Sequence, residues 1–323
     1  MSPQVIPNDA QSQKRALQFG IYLPSVGWDT LPKPSELVDY AVAAEQLGFD
    51  SVWVEDRLLH PRLGILEALT TLNFVASQTE RIRLGTCVLL VNLRNPLSLA
   101  KSLSTLDYLS GGRVVVGTSL GGSPMEYNVS GTQMKTRVTR FEETLKAMRA
   151  FWGQGPFEGV SRFIQPTDVP MEPRPVQQRI PIWIGGKADR VFSRVAVLGD
   201  GWLASSTSTA DDFARGWAKV REHAMAAGRD LSSLMPAKFT YIHIDDSTDR
   251  ALAVLSERLP RYYPSSYDAP RYTLHGPPGH CVEQARKLVN AGVRTMIFST
   301  VTHDHTQLER LAHEVLPELA TIK

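Results

Sequence analysis

Cysteine is scarce in this chain of 323 residues, in which Cys87 and Cys281 are the only two. Because they lie far apart in the sequence, they offer neither a disulfide framework nor the closely spaced ligands of a zinc knuckle. A chain of this size without disulfides is typical of a reducing compartment. We therefore expect a cytoplasmic protein.

The chain also lacks a basic run, a long apolar run and an apolar N-terminal segment. A formal net charge of +2 without a basic cluster argues against a nucleic-acid partner. The longest apolar stretches are too short for a membrane span, so no membrane association is expected. Residues 1–15 are polar, and we expect them to form a flexible tail and neither a signal peptide nor an anchor.

What the chain does contain is a regular alternation of short apolar runs with amphipathic segments, which is typical of a parallel α/β protein. Eight runs are predicted as strands: 17–24, 51–55, 82–91, 113–119, 180–186, 201–205, 237–244 and 294–300. Helices are predicted between them: 35–48, 65–78, 96–109, 136–152, 188–199, 210–227, 249–259 with 279–292, and 307–320.

Eight βα units predict a single-domain (β/α)8 TIM barrel over residues 16–323, with long loops at its C-terminal rim. A Rossmann sheet would offer six strands and a G-x-G-x-x-G motif after the first, where this chain has PSVGWDT. Residues 119–135 and 153–179 are too long for simple connections. Because barrel active sites are built from loops after the strands, we predict that these two segments are lids.

The segment RIPIWIGGKADR, residues 179–190, contains the clearest candidate site. A buried strand ends at Gly185 and Gly186, and apolar residues return at helical spacing after Ala188. Glycines let a ligand approach the backbone, and the N–H groups at a helix start attract anions. An ordinary tight βα turn has the same pattern, but its place after strand five, on the catalytic rim, favours a phosphate site.

Three longer segments resemble the bacterial luciferase-like monooxygenase family, which includes deazaflavin-dependent oxidoreductases of the same fold. They are AAEQLGFDSVWVED at 43–56, the stretch from TERIRLGTCVLLV to LSGGRVVVG at 79–117, and PRPVQQRIPIWIGG with AVLGDGW at 173–202. The resemblance implies that the turn after strand five holds the phosphate of a flavin. The residues assigned to it are Gly185, Gly186, Lys187 and Ala188.

The resemblance also implies a non-proline cis peptide bond in a bulge at the end of strand three, against which the flavin ring bends. In this sequence the bond falls between Cys87 and Val88, and Thr86, Cys87 and Val88 are the cofactor-binding residues expected there. Such a bond is unfavourable enough to be expected only where a ligand site requires it. The alternative is that Cys87 is a small buried hydrophobic residue.

Relatives often carry an Asp-His or Glu-His pair beside the flavin at the end of strand two. This chain has EDRLLHP, in which Asp56 matches, Arg57 replaces the histidine and His60 follows three residues later. An arginine that is always charged cannot shuttle protons. The catalytic candidates are therefore Asp56, Arg57 and His60, with Arg57 as an anion anchor; a rim salt bridge is the alternative for Asp56 and Arg57.

The loop GTSLGGSPMEY departs from one subgroup of the family. In the deazaflavin-dependent sugar-phosphate dehydrogenases a glutamate follows the glycines and acts as an acid, whereas here Gly122 takes that place and Glu126 is the next in reach. This departure argues against sugar-phosphate dehydrogenation.

Three residues near strand ends are candidates for substrate contact: Trp28, Tyr127 and His303. For the aromatic residues, ordinary packing is the alternative. His303 and His305 stand in THDHTQ without a third ligand at helical spacing, so no metal site is expected.

The function expected from the resemblance is that of a monooxygenase. It would use reduced FMN, supplied by a separate flavin reductase, and O2 to oxidise a small organic substrate. Two alternatives stay open: hydride transfer with coenzyme F420, and a flavin-binding barrel without turnover. A homodimer is expected.

Overall fold

In a computed structural model, the described residues are 16–156, 161, 163–164, 170–263 and 266–322. The predicted tail, residues 1–15, lies outside them, as do residues 157–160, 162 and 165–169 of the predicted lid 153–179. Nine strands occur in the described part of the chain: β1 (Gln18–Tyr22), β2 (Ser51–Val54), β3 (Arg83–Leu89), β4 (Val114–Thr118), β5 (Ile182–Gly185), β6 (Gly201–Ala204), β7 (Met235–Ile244), β8 (Leu274–Gly276) and β9 (Thr295–Ser299).

Eight of these strands close into a parallel barrel. The order is β1, β2, β3, β4, β5, β6, β7 and β9, and β9 pairs with β1 in the register Gln18 to Thr295. Each of the eight predicted strands corresponds to one barrel strand, so the (β/α)8 barrel is confirmed. The short β8 was not predicted; it pairs with the last residues of β7 and does not enter the ring.

The helices surround the barrel: α1 (Pro34–Gln46), α2 (Ala68–Ala76), α3 (Pro96–Leu109), α4 (Pro124–Val129), α5 (Arg137–Phe151), α6 (Asp189–Leu198), α7 (Ala210–Ala226), α8 (Thr248–Tyr262), α9 (Ala269–Tyr272), α10 (Pro278–Asn290), α11 (His305–Arg310) and α12 (Leu316–Ala320). Residues 311–315, between α11 and α12, form a π-helical turn. Pro317 lacks an N–H and cannot complete the regular ladder there. The short helix α4 lies inside 119–135, which was predicted as a loop.

The barrel interior is filled by large side chains. Trp53 and Trp183 pack with ring centroids 5.3 Å apart, and both belong to an inner cluster that includes Tyr22, Cys87 and Leu203. Their bulk requires a glycine opposite: a Cβ on Gly85 would lie 2.3 Å from the Trp53 ring. The two tryptophans therefore fill the middle of the barrel, and open space remains at its C-terminal mouth.

Candidate active site

A cavity of about 310 Å³ occupies the C-terminal mouth of the barrel. This volume lies within the usual range of ligand sites. It is lined by residues at or after the C-terminal ends of strands β1 to β6 and β9, by Phe239 and Tyr241 within β7, and by residues at the end of α8. Barrel enzymes carry their active sites at this face. The cavity is therefore the candidate active site.

One side of the cavity is built from backbone and small side chains. We call it the glycine wall; it consists of Ser119, Gly121, Gly122, Gly185 and Gly186. A Cβ on Gly185 would lie 3.3 Å from the Leu203 carbonyl oxygen, and Gly186 has φ +134°, which side chains rarely adopt. The glycine wall thus lets a ligand come close to the main chain.

Helix α6 begins directly after the glycine wall. Its N-cap residue is Ala188, which supplies no side-chain hydrogen bond, so the first N–H groups of the helix stay open to a ligand. The Asp189 carboxylate pairs with Lys219 at 2.6 Å. Lys187 and Ala188 are exposed and do not line the cavity, whereas Gly185 and Gly186 do.

The end of β3 forms the bulge that was expected. The peptide bond between Cys87 and Val88 is cis, which confirms that expectation, and the pairing of β3 with β4 shifts between Thr86 and Leu89. Cys87 and Val88 line the cavity; Thr86 instead points to the next strand, where its hydroxyl donates to the Gly117 carbonyl at 2.9 Å. Burial raises the pKa of the Cys87 thiol to about 12, so it stays protonated.

The opposite side of the cavity is aromatic. We call it the tyrosine wall; it consists of Tyr22, Phe239, Tyr241, Tyr262 and Tyr263. Neighbouring rings are in contact, for example Tyr22 with Phe239 at 4.7 Å and Tyr262 with Tyr263 at 5.1 Å between centroids. The Tyr263 hydroxyl shares hydrogen bonds with Tyr241 and Ser206. Trp28 also lines the cavity, 6.1 Å from the ring of Tyr262.

Asp56 lies at the cavity edge, and its carboxylate is fully engaged. It accepts a hydrogen bond from the Leu90 N–H at 2.9 Å and pairs with Arg94 at 2.7 Å. Arg94 pairs with Glu67 as well, at 2.8 Å. Burial raises the pKa of Asp56, although the Arg94 charge opposes this effect.

Arg57 lines the cavity and forms an ion pair with Glu126 at 3.1 Å, in which the glutamate side chain is fully buried. Glu126 also accepts from the N–H groups of Leu58, Leu59 and Ser123. Burial alone would raise the pKa of Glu126, but these hydrogen bonds and the Arg57 charge lower it overall. Glu126 therefore stabilises the loop that follows β2. It does not line the cavity.

The two predicted histidines lie behind the cavity. His60 Nδ1 accepts from the N–H groups of Arg62 and Leu63, so its proton is on Nε2, which donates to the Tyr262 carbonyl at 3.1 Å. His303 Nε2 lies 2.7 Å from the Val26 carbonyl oxygen. Both histidines form hydrogen bonds to the backbone of residues that line the cavity, and neither histidine is itself in the lining.

Tyr127 also lies away from the cavity. Only 2% of its surface is exposed, and it packs against Leu90 and Leu93. Its hydroxyl donates to the Leu120 carbonyl and accepts from the Asn92 amide. The structure gives it a packing position, which was the alternative in the sequence analysis.

Glu55 lines the cavity although the sequence analysis did not select it. Ser51, Trp53 and Glu55 alternate with Val52 and Val54, which pack in the outer core, so Glu55 follows the inward row of β2. This alternation was the signal that could have identified it.

The described residues contain no group of three or more histidine, cysteine, aspartate or glutamate side chains able to hold a metal ion. None of the described helices is long and apolar enough to cross a membrane.

Residues 17–273 match the family model of the luciferase-like monooxygenases. The chain belongs to this family. It is an enzyme, an oxidoreductase of the luciferase-like type. The F420-dependent glucose-6-phosphate dehydrogenase of Amycolatopsis mediterranei (strain U-32) is 29% identical to it, covering 90% of this chain and 96% of the relative.

Two solved structures share the fold. An F420-dependent secondary alcohol dehydrogenase in complex with an F420-acetone adduct superposes with a TM-score of 0.81 at 18% identity, covering 94% of this chain and 99% of the other. The oxygenating constituent of 3,6-diketocamphane monooxygenase from Pseudomonas putida, in complex with FMN, gives 0.73 at 19% identity, covering 94% and 98%. Proteins similar to this one thus include enzymes named for coenzyme F420 and one in complex with FMN.

Proposed function

We propose that this protein is an F420-dependent oxidoreductase that transfers hydride between a small uncharged alcohol or carbonyl compound and the deazaflavin. The observation that carries the choice of cofactor is the similarity, over 90% of the chain, to an enzyme named for F420. The proposal takes the alternative of the sequence analysis in place of its main interpretation, FMN monooxygenation.

The glycine wall fits the phosphate of a flavin or deazaflavin. The absence of a side chain at Gly185 leaves room over the end of β5, and the uncapped start of α6 offers N–H donors beside it. Gly185, Gly186 and the N–H groups after them would hold the phosphate, and Cys87 and Val88 would lie against the ring. When bound, the coenzyme supplies a carbon that accepts or releases hydride.

The lining of the cavity supports an uncharged substrate. Among the described residues that line it, Arg57 is the only lysine, arginine or histidine; Glu126 balances its charge, although its Nε has no hydrogen-bond partner. A substrate phosphate carries more negative charge than this one balanced cation can offset. The tyrosine wall instead offers apolar ring faces beside hydroxyl groups, which suits a small alcohol or ketone.

The FMN monooxygenase remains the second candidate. It would use the same glycine wall, and the tyrosine wall would keep water from the reacting flavin. It would also need a separate flavin reductase as partner. The FMN complex among the similar structures supports this candidate through the fold alone.

Three further expectations stay proposals: a cytoplasmic location, a homodimer, and one barrel domain over residues 16–323. Both cysteines are free and buried, which supports a reducing compartment.

Equilibrium titration of the purified protein with F420 and with FMN, followed by fluorescence, tests the choice of cofactor. We expect F420 to bind at least about tenfold more tightly. Gly279→Val serves as the control for a change of glycine, because a Cβ at Gly279 meets no atom within 4 Å. Gly185→Val should weaken binding of F420, and Gly279→Val should not. Tighter binding of FMN would favour the monooxygenase.

A further inference from the structure

Glu55 is a buried carboxyl group that faces the cavity from the end of β2. Only 5% of its surface is exposed, and it follows Trp53 on the inward row of the strand. Its Oε2 accepts a hydrogen bond from the buried Ser25 hydroxyl at 3.3 Å, whereas its Oε1 has no hydrogen-bond partner. A buried oxygen without a partner is unfavourable unless a ligand supplies one.

Three carboxyl groups surround this part of the site, and only Glu55 has no cation. Asp56 pairs with Arg94, and Glu126 pairs with Arg57. Among the described residues, no ion pair joins Glu55 to a lysine, an arginine or a histidine. The neighbours on each side are thus paired with cations, while Glu55 has no cation that would hold it in the charged form.

The groups that face Glu55 favour a proton that is exchangeable near neutral pH. Burial raises the pKa of Glu55 to about 7; the Ser25 hydrogen bond opposes the rise and the Asp56 charge adds to it. Tyr22, Cys87, Tyr262 and Tyr263 also face it, and burial raises the pKa of each of these above its usual value. Because burial favours the neutral form of each, these four groups stay neutral over the pH range in which Glu55 titrates.

We propose that Glu55 is the catalytic acid and base of the reaction, acting on the hydroxyl or carbonyl oxygen of an uncharged substrate. This inference rests on the proposed hydride transfer. In oxidation, the O–H bond of the alcohol breaks and its proton goes to the Glu55 carboxylate. The adjacent C–H bond breaks and its electron pair leaves with the hydrogen to the oxidised coenzyme, so the alcohol becomes a carbonyl compound and the coenzyme is reduced.

The other titratable groups among the described residues that line the cavity are less available than Glu55, and burial keeps Tyr241, Tyr262 and Tyr263 in the neutral form by raising the pKa of each. Asp56 has both oxygens in hydrogen bonds, and the Tyr22 hydroxyl donates to the Cys87 carbonyl. The Cys87 thiol is held protonated, and Arg57 is permanently charged. His60 and His303, which could have served, lie outside the lining. Glu55 thus takes the place of the proton carrier that Arg57 cannot supply.

The test compares Glu55→Gln, which keeps the shape of the side chain, with Glu55→Asp, which keeps the carboxyl group. Glu283→Gln on the exposed face of α10 is the control for loss of a carboxylate. Anaerobic reduction of F420 by isopropanol, cyclohexanol and benzyl alcohol gives the rates as a function of pH. Infrared titration of the coenzyme-free protein follows the protonated carboxyl band, and fluorescence follows binding of F420.

We expect Glu55→Gln to lower kcat at least about 100-fold, as loss of a general base does, and to abolish the rise of the rate near pH 7. Binding of F420 should change less than about twofold, the infrared band that titrates near neutral pH should disappear, and Glu55→Asp should restore part of the rate. A rate within about threefold of the wild type, or an unchanged pH profile, would overturn the inference alone. A wild-type protein that neither binds nor reduces F420 would overturn the proposed function as well.

Discussion

The two walls of the cavity differ in chemistry although they face each other across one site. The glycine wall presents main chain and two turns, and the start of helix α6 beside it has no side-chain cap on its first N–H groups. The tyrosine wall presents ring faces with hydroxyl groups, of which those of Tyr241 and Tyr263 are joined by a hydrogen bond, and Glu55 lies beside them. The comparison separates the tasks: one wall is suited to hold an anionic cofactor, the other to hold and deprotonate an uncharged substrate.

This difference also explains which substitutions each wall tolerates. On the glycine wall a Cβ added at any of the four glycines would lie within 3.3 Å of a neighbouring protein atom, so the sequence there is restricted by size. On the tyrosine wall, titratable groups are buried without cations, so the sequence is restricted by charge. The predictions below test the two restrictions separately.

The largest expected effect is on stability, from Glu55→Gln beside the tyrosine wall. The pKa of Glu55 is raised from 4.5 to about 7 on folding, so the folded protein holds this proton more tightly than the unfolded chain. The wild-type free energy of unfolding should therefore fall as pH rises from about 4.5 to 7, and stay lowered above that, by up to about 3 kcal/mol. The glutamine variant should lack this decrease.

Urea unfolding of both proteins at pH 5 and pH 8 checks this prediction. The free energy of unfolding of the glutamine variant, relative to that of the wild type, should be higher at pH 8 than at pH 5. If the two proteins differ by the same free energy of unfolding at both pH values, the pKa of Glu55 is ordinary, and Glu55 carries a negative charge beside the tyrosine wall at neutral pH.

The next effect concerns the glycine wall. In Gly185→Ala the new Cβ would lie 3.3 Å from the Leu203 carbonyl and 3.5 Å from the Ser119 side chain. We expect the Kd for F420 to rise about tenfold, because the backbone approach is obstructed. Gly279→Ala is the matched control, and fluorescence titration measures both. Equal affinities of the two variants for F420 would mean that the phosphate of the coenzyme does not bind at the glycine wall.

A smaller effect is expected at Arg57, which lies between the walls. Arg57→Ala leaves the buried Glu126 without its cation, so the pKa of Glu126 should rise and the Leu58–Leu59 segment should loosen. We expect about 1–2 kcal/mol of lost stability at pH 7 and a several-fold lower kcat/KM. Arg57→Lys should lie between, since it keeps the charge but not the guanidinium geometry.

Chemical denaturation and steady-state kinetics of the three proteins measure these changes. Alanine and lysine variants that both match the wild type would show that the pair with Glu126 contributes nothing measurable.

The smallest effect on function is expected at Tyr127, behind the glycine wall. Tyr127→Phe removes hydrogen bonds to the Leu120 carbonyl and the Asn92 amide, which should lower stability by about 1 kcal/mol. Substrate KM and coenzyme Kd should stay within about twofold. Tyr263→Phe, on the tyrosine wall, should change KM more than coenzyme Kd. A large change of KM in Tyr127→Phe would instead support the sequence-based prediction that Tyr127 contacts the substrate.

The barrel could be predicted from the sequence because its strands and helices have strong local signals. Helix α3 begins at Pro96 and ends at Leu109 as predicted, since Asn95 caps it and proline suits its first position. The short α4 was missed within the predicted lid, although Ser123 and Glu126 form a capping box that is visible in the sequence. The three-residue β8 has too little pattern to be recognised.

The site could be predicted only where a motif marks it. The glycine turn and the Cys87–Val88 bond follow from the resemblance, but the role of Glu55 depends on burial and on the absence of a nearby cation. Neither can be read from one sequence. His60 was selected from the resemblance, and His303 and Tyr127 as possible substrate contacts, yet each side chain bonds to a backbone carbonyl and none of the three lines the cavity.

Hydride transfer to the deazaflavin is the central claim, and isotope transfer tests it most directly. The protein, F420 and an alcohol deuterated at the carbinol carbon would be incubated without oxygen, and the reduced coenzyme examined by mass spectrometry. We predict one deuterium per coenzyme and formation of the matching carbonyl compound. A coenzyme without deuterium, together with product formation only from reduced FMN and oxygen, would contradict the account and assign the protein to oxygen chemistry.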